Sequence, residues 1–195
     1  WLRYNQKSVI SKNEWAELQV PAMPELKGKL FLGVKYSNDG ANVAMSIASR
    51  TKDGRIFVEA IDCRPRRAGN QWMLPYIMNP HVDVVTVDGA IGQQLLADEM
   101  YEMKLGTPIF PKVREIILAN STFESGVYSK TLCHSGQPSL AQVVSNCDKR
   151  SIGSNGGFGY KSLVDELEIA LMDSAILAYW QCSESKEKKK QKVSY

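Results

Sequence analysis

The chain of 195 residues contains no apolar run near the ~20 residues that a membrane span needs; the longest candidates, Ile169–Met172 and Ala175–Ala178, are short. Only two histidines (81 and 134) and four cysteines (63, 133, 147 and 182) are present, and no CxxC pair occurs, so zinc-type spacing is absent. The thiols read as reduced core residues of a cytosolic protein. No GxxxxGK[ST] sequence is found, which excludes ATP binding through a P-loop, and no GxSxG elbow is found. Cys133 and His134 are sequence neighbours, and in a strand their side chains point to opposite faces, so they make a poor nucleophile–base pair. The first residues, Trp1-Leu2-Arg3-Tyr4-Asn5, carry neither an initiator Met nor a signal-peptide pattern, so the chain reads as a piece of a longer protein.

What is present is an ordinary globular composition, 44% hydrophobic and 23% charged, with a formal net charge of +3. That charge is uneven. Setting aside the five lysines of 186–192 together with Glu184 and Glu187 leaves nineteen basic and nineteen acidic residues. The excess therefore sits in a terminal lysine run: a solvated tail, or an aid to nucleic-acid binding.

Residues 1–27 read as a linker with a short helix at Lys12–Leu18 capped by Ser11. Three strands follow, Leu30–Tyr36, Asn42–Ser49 and Ile56–Ile61, joined by the turns Ser37-Asn38-Asp39-Gly40 and Thr51-Lys52-Asp53-Gly54. This is an antiparallel meander. Val82–Val87 is almost purely apolar, as a strand buried on both faces should be. A helix over Ala90–Leu105, a strand over Pro108–Val113 and a helix over Arg114–Tyr128 come next. Pro138–Cys147 reads as a helix capped by Ser135 or Ser139. The glycine-rich Arg150–Ser162 reads as an irregular, mobile loop, and Leu163–Gln181 as a long amphipathic helix. The order matches an α/β, ribonuclease-H-like mixed sheet, three antiparallel strands and then parallel ones, flanked by helices.

Among the carboxylates, Asp88 stands at the C-terminal end of the buried strand, where the crevice of an α/β sheet lies. Hard cations such as Mg²⁺ take carboxylate oxygens from a few converging elements. Equally, Asp88-Gly89 could be a turn with Asp88 capping the next helix.

Four segments resemble the nuclease domain of the large terminase subunit of tailed bacteriophages: Gly33-Val34-Lys35-Tyr36-Ser37-Asn38-Asp39-Gly40-Ala41 with Val43-Ala44-Met45; Val84-Val85-Thr86-Val87-Asp88-Gly89-Ala90; Leu132-Cys133-His134-Ser135-Gly136-Gln137-Pro138-Ser139-Leu140; and Gly156-Gly157-Phe158-Gly159-Tyr160 leading to Glu168 and Asp173-Ser174-Ala175-Ile176-Leu177-Ala178-Tyr179-Trp180. They cover most of residues 30–180. The resemblance implies residues 1–27 as a linker from an absent ATPase domain, 28–182 as the nuclease and 183–195 as a basic tail. It also implies a metal-dependent endonuclease that cuts concatemeric double-stranded viral DNA during packaging, with two Mg²⁺ or Mn²⁺ ions ~3.5–4 Å apart. The implied partners are DNA, the ATPase domain of the same polypeptide, the small terminase subunit and the portal protein. The implied place is the cytoplasm of an infected bacterium.

Three carboxylates are implied. Asp88 fits the second. The first departs from the pattern, because Lys35 stands where many relatives have Asp. Asp39 shares its face and could replace it, or could be only a turn residue; the Lys35 ammonium could instead occupy the space of one cation. For the third, the resemblance favours Glu168, with Asp173 second; Asp165 lies nearby, and any of these could be a solvated helix acid. His134 reads as a structural histidine or a substrate-orienting one. Lys149, Arg150 and Lys161, and a second cluster of Arg64, Arg66 and Arg67, are candidate phosphate contacts. Two rival readings stay open: a catalytically weak DNA-binding module of the packaging motor, and a related resolvase- or transposase-type nuclease.

Overall fold

The computed structural model describes residues 7–185; the basic tail expected at 183–195 lies mostly outside them. Helix α1 (Lys12–Ala16) is followed by strands β1 (Leu30–Tyr36), β2 (Asn42–Arg50) and β3 (Ile56–Pro65), and then by a single 3-10 turn at Arg66–Ala68. Next come α2 (Leu74–Ile77), β4 (Val82–Asp88), α3 (Gln93–Glu102), α4 (Val113–Tyr128), β5 (Leu132–His134) and α5 (Pro138–Val144). Strands β6 (Cys147–Ile152) and β7 (Gly157–Ser162) precede the last helix, α6 (Ala170–Glu184). The main sheet has the order β4-β1-β2-β3-β5. Its three central strands form the antiparallel meander, while β4 pairs with β1 and β5 with β3 in parallel. It is a mixed five-stranded sheet with helices on both faces.

Strand periodicity divides the core. Leu32, Val34 and Tyr36 of β1, Val43 and Met45 of β2, and Val85 and Val87 of β4 point to one face, where α2 and α3 cover them with Ile77, Leu96 and Met100. Phe31 of β1 and Ala44 and Ala48 of β2 point to the other face, under α6 and α4. On that second face the sheet residues are small because the helix lies close. A Cβ at Gly33 would stand 2.0 Å from the carbonyl oxygen of Ser174, and the hydroxyls of Ser46 and Ser174 hydrogen-bond at 2.7 Å across the contact.

Several expectations change. Arg150–Ser162 is not an irregular loop; it is most of the β6–β7 hairpin, and its glycines answer to crowding. A Cβ at Gly157 would lie 2.5 Å from Ile117 of α4, and one at Gly159 would lie 2.5 Å from Ile152 on the partner strand. Pro108–Val113 forms no full strand: one parallel bridge, Thr86 with Ile109, carries two backbone hydrogen bonds, and the prolines at 108 and 111 have no N–H with which to extend it. The last helix starts at Ala170 instead of Leu163, after a turn segment in which the Ser162 hydroxyl donates to the Val164 carbonyl. Helix α5 is flanked at its start by Gln137, not by a serine cap, and the Gln137 amide bonds both the N–H and the carbonyl of Ala60, continuing the ladder at the edge of β3.

The segment read as a linker is packed into the body from Ile10 to Val20. Helix α1 begins with a capping box between Ser11 and Glu14, and Ile10, Trp15 and Leu18 are buried in the larger core. His134 clamps this segment. Its Nδ1 accepts from the N–H of Gly136 at 2.9 Å, which leaves Nε2 to donate to the Trp15 carbonyl at 2.7 Å. Its ring stacks on the Trp15 indole with centroids 4.2 Å apart. Burial holds the His134 pKa below its ordinary value. All four cysteines are free thiols, three of them buried. No described helix is long and apolar enough to cross a membrane.

Candidate active site

The site begins with strand register. Lys35 on β1 and Asp88 on β4 are direct partners in the parallel ladder, so both side chains emerge on the α6 face at the C-terminal ends of adjacent parallel strands. The backbone leaves β4 sharply at Gly89, whose φ of 119° belongs to glycine, and a Cβ there would lie 2.6 Å from the Tyr36 Cβ and carbonyl oxygen. Asp88 is thus held beside β1. Lys35, 7% exposed, donates from Nζ to Asp88 Oδ2 at 2.5 Å.

Asp173 arrives from the first turn of α6. The close approach of that helix at Gly33 sets its position, because Ser174, the next residue, touches the sheet directly. Burial pushes the Asp173 carboxyl up to about 6, with the charges of Asp88 and Glu168 adding and those of Lys35 and Arg150 opposing. Lys35, Asp88 and Asp173 line one cleft of about 240 Å³, together with Asn38, Asn120 and Arg150. Its apolar wall comes from Val113 and Ile116 of α4 and Ile176 and Leu177 of α6. Arg150 enters from β6, its Nε donating to the Tyr160 carbonyl at 3.3 Å.

The other sequence candidates lie around this centre. Asp39 sits in the β1–β2 turn, where its Oδ1 accepts from the Ser37 hydroxyl at 2.7 Å and the Ala41 N–H at 2.9 Å. Those bonds hold its carboxyl below the usual range, the Ser37 hydroxyl foremost. It is occupied as a turn residue. Glu168 precedes α6: its Oε2 accepts from Asn42 Nδ2 at 3.0 Å and its Oε1 from the N–H of Ala170 at 3.2 Å. It acts on Asp173 through charge. Among the described residues no three His, Cys, Asp or Glu side chains gather as a metal cage, so an Asp39–Asp88–Glu168 triad is not assembled.

The basic candidates separate as strand alternation requires. Arg150 faces the cleft, whereas Lys149 faces away, paired with Glu124 at 2.5 Å and standing 4.1 Å over the Phe158 ring. Lys161 is exposed on β7 opposite Asp148. Arg66 Nε donates to the Gly40 carbonyl at 2.6 Å, bracing the β1–β2 turn, and Arg67 is exposed beside it. Arg64 pairs with Asp62 and covers the Trp72 ring. His134 lies in the core under α1, away from the cleft. Sequence reasoning missed Asn38 and Asn120 as lining residues; neither spacing nor charge marks them. It also missed the packing role of Gly33, which a glycine inside an apolar strand does signal.

No family model matches this sequence, and no curated protein sequence matches it. Solved structures do. The nuclease domain of the large terminase from the thermophilic phage G20c superposes with a TM-score of 0.62 at 12% identity, over 90% of this chain and 99% of that one; a second structure of it contains bound magnesium. The large terminase of bacteriophage HK97 gives a TM-score of 0.56 at 13% identity over 88% of this chain, which spans only 43% of that protein. The g2p nuclease domain of bacteriophage SPP1, with bound manganese, gives 0.50 at 13% identity over 90% of this chain. At such identities the likeness speaks of architecture, and on that ground this chain has the ribonuclease-H-like fold of the phage large-terminase nuclease domains.

Proposed function

We propose that this chain is a divalent-metal-dependent DNA endonuclease of the large-terminase type, cutting concatemeric double-stranded DNA during genome packaging. The observation that carries this reading is the meeting of Asp88 and Asp173 in one cleft at the C-terminal ends of β1 and β4, with Arg150 on its wall. The structural neighbours are large terminases and their nuclease domains, three of them solved with magnesium or manganese, which supports a nuclease role for the same fold here.

The donor set suits one hard cation. Mg²⁺ and Mn²⁺ favour oxygen ligands, and Mg²⁺ is commonly held by one or two carboxylates, with waters and substrate phosphate completing the shell. Asp88 and Asp173 supply the carboxylates; Glu168, tied to Asn42, contributes negative charge from the edge. When bound, such an ion stabilises charge on the phosphate under attack. The chain's own residues do the rest. Asp173 emerges from the first turn of a helix packed tightly on the sheet, so its position is fixed before substrate arrives. Arg150 is placed to take a phosphate oxygen by charge-assisted hydrogen bonds. Lys161 and Arg67, both exposed, can meet the backbone farther along, a role without base specificity. The apolar wall of Val113, Ile116, Ile176 and Leu177 limits water around the carboxylates. The implied partners are duplex DNA, an ATPase domain on the same polypeptide, a small terminase subunit and a portal.

The test is nicking of supercoiled plasmid by the purified chain with Mg²⁺ or Mn²⁺, beside Asp88→Ala and Asp173→Ala. Cutting by the parent and by neither variant is expected. If the parent cuts with neither metal, the nuclease reading of the isolated chain falls. The part-buried Lys35–Asp88 ion pair favours a second reading, a catalytically weak module that grips DNA for the motor. DNA binding without cutting is its signature.

A further inference from the structure

The resemblance implies two divalent ions, and the cleft disagrees with that number. Its facing charges among the described residues are two carboxylates, Asp88 and Asp173, against Lys35 and Arg150. One of those cations is already inside: Lys35 is almost fully buried and its Nζ lies 2.5 Å from Asp88 Oδ2, so half of the Asp88 carboxylate is engaged by a fixed ammonium. Asp39, the other acid on the β1 side, is bound into its own turn.

We propose that Lys35 is a built-in cation that takes the place of one of the two ions, so that the site admits a single divalent ion, held by Asp173 and the remaining oxygen of Asp88. The proposal rests on the nuclease reading for its purpose but not for its measurement.

Three observations carry it. First, Lys35 cannot withdraw cheaply. It stands in the middle of the sheet, between β2 and β4, with Ala44 as its antiparallel partner and Asp88 as its parallel one. A buried ammonium separated from its hydrogen-bonded carboxylate would lose its direct partner, and that state is strongly disfavoured. Second, the ammonium carries three donors, and among the described residues it spends one on Asp88. The others remain for a phosphate oxygen entering the same cleft, as a point charge of the kind that otherwise belongs to a metal. Third, two divalent ions would place four positive charges beside Lys35 and Arg150 against two carboxylates in a cleft of about 240 Å³ and Glu168 at its edge. One ion leaves the set near balance once a phosphodiester is present. Two do not.

The inference predicts a count that calorimetry can read without any cutting assay. Titrating MnCl₂ into the full 195-residue chain should show one Mn²⁺ per chain. Lys35→Met keeps the length of the side chain and removes the charge; Mn²⁺ should then bind on the order of tenfold more tightly or better, because one unit of repulsion close to the ion is gone. Lys35→Asp should bind two. Circular dichroism melting of each variant checks that it is folded, and if neither substitution folds, the count for the parent chain still decides. A parent chain that binds two ions, or none, overturns the proposal, as does a folded Lys35→Met with unchanged or weaker Mn²⁺ affinity. A parent chain that binds one Mn²⁺ and cuts nothing would leave this inference standing while the nuclease reading fell.

Discussion

At the scale of single residues the same chemistry serves opposite ends. Lys35 is a buried side chain paired with a carboxylate, and His134 is a buried base whose surroundings disfavour the charged ring. For His134 the consequence can be worked through. Its folded pKa lies below the ordinary 6.5, chiefly because burial disfavours the charged ring. Below pH 6.5 the unfolded chain binds the proton first, so stability falls as pH drops from about 6.5 toward the folded pKa, and is level above. A protonated ring could also no longer accept from the Gly136 N–H at Nδ1. Replacing His134 by Gln should therefore flatten the acid limb of a melting-temperature profile between pH 7 and 5. The same replacement should cost about 2 kcal/mol at neutral pH through lost stacking on Trp15 and lost hydrogen bonds. An acid limb of unchanged slope in the variant would assign it to other groups.

At the scale of elements, what holds the site is the contact between α6 and the sheet, and that contact is controlled by a missing side chain. A methyl group at Gly33 would stand 2.0 Å from the Ser174 carbonyl and 2.7 Å from the Ala178 nitrogen, both backbone atoms of a helix that cannot yield locally. Gly33→Ala should lower stability by about 3 kcal/mol or more. That corresponds to a fall of roughly 6–12 °C in melting temperature for a chain of this size. It should also weaken Mn²⁺ binding, since Asp173 rides on the displaced turn. An unchanged melting temperature would show that the helix is not seated as described. The pattern also explains which elements could be read in advance. The meander was legible because β-forming runs and two Asp-Gly turns point the same way, and the place of Asp88 at the end of a strand was legible because the residues before it are mostly valine. The β6–β7 hairpin was hidden because glycine at 157 and 159 relieves crowding by Ile117 and Ile152, information that lies in distant residues. The start of α6 was misplaced for a similar reason. Acids at 165, 166 and 168 continue the polar side of a helix on paper, whereas in the structure Ser162 bonds the Val164 backbone and Glu168 is tied to Asn42 ahead of the start at Ala170. The shift moved the weight from Glu168 to Asp173.

At the scale of the whole molecule the two ends differ in composition. The N-terminal segment belongs to the fold: Ile10, Trp15 and Leu18 are each at most 4% exposed. Burial of a large apolar side chain contributes about 1.5–3 kcal/mol. Three of them amount to most of the ~5–15 kcal/mol by which a domain of this kind is stable. A chain begun at Pro21 should accordingly be unfolded or molten near 37 °C by near-ultraviolet circular dichroism. A cooperative melt within a few degrees of the full chain would show that the segment is dispensable. The other end carries charge. Removing residues 186–195 deletes five lysines and one glutamate from a chain whose remainder is close to neutral, and none of the described core residues is among those removed. The melting temperature should be unchanged. DNA binding, however, depends on released counterions, each phosphate contact contributing ~0.9 to the slope of log K against log salt. Measured by fluorescence anisotropy on a duplex of arbitrary sequence, the shortened chain should bind more weakly below 100 mM salt and show a slope smaller by about 1–4. An equal slope would place the DNA-binding charge in the cleft, on Arg150 and its neighbours, and leave the tail without a part in it.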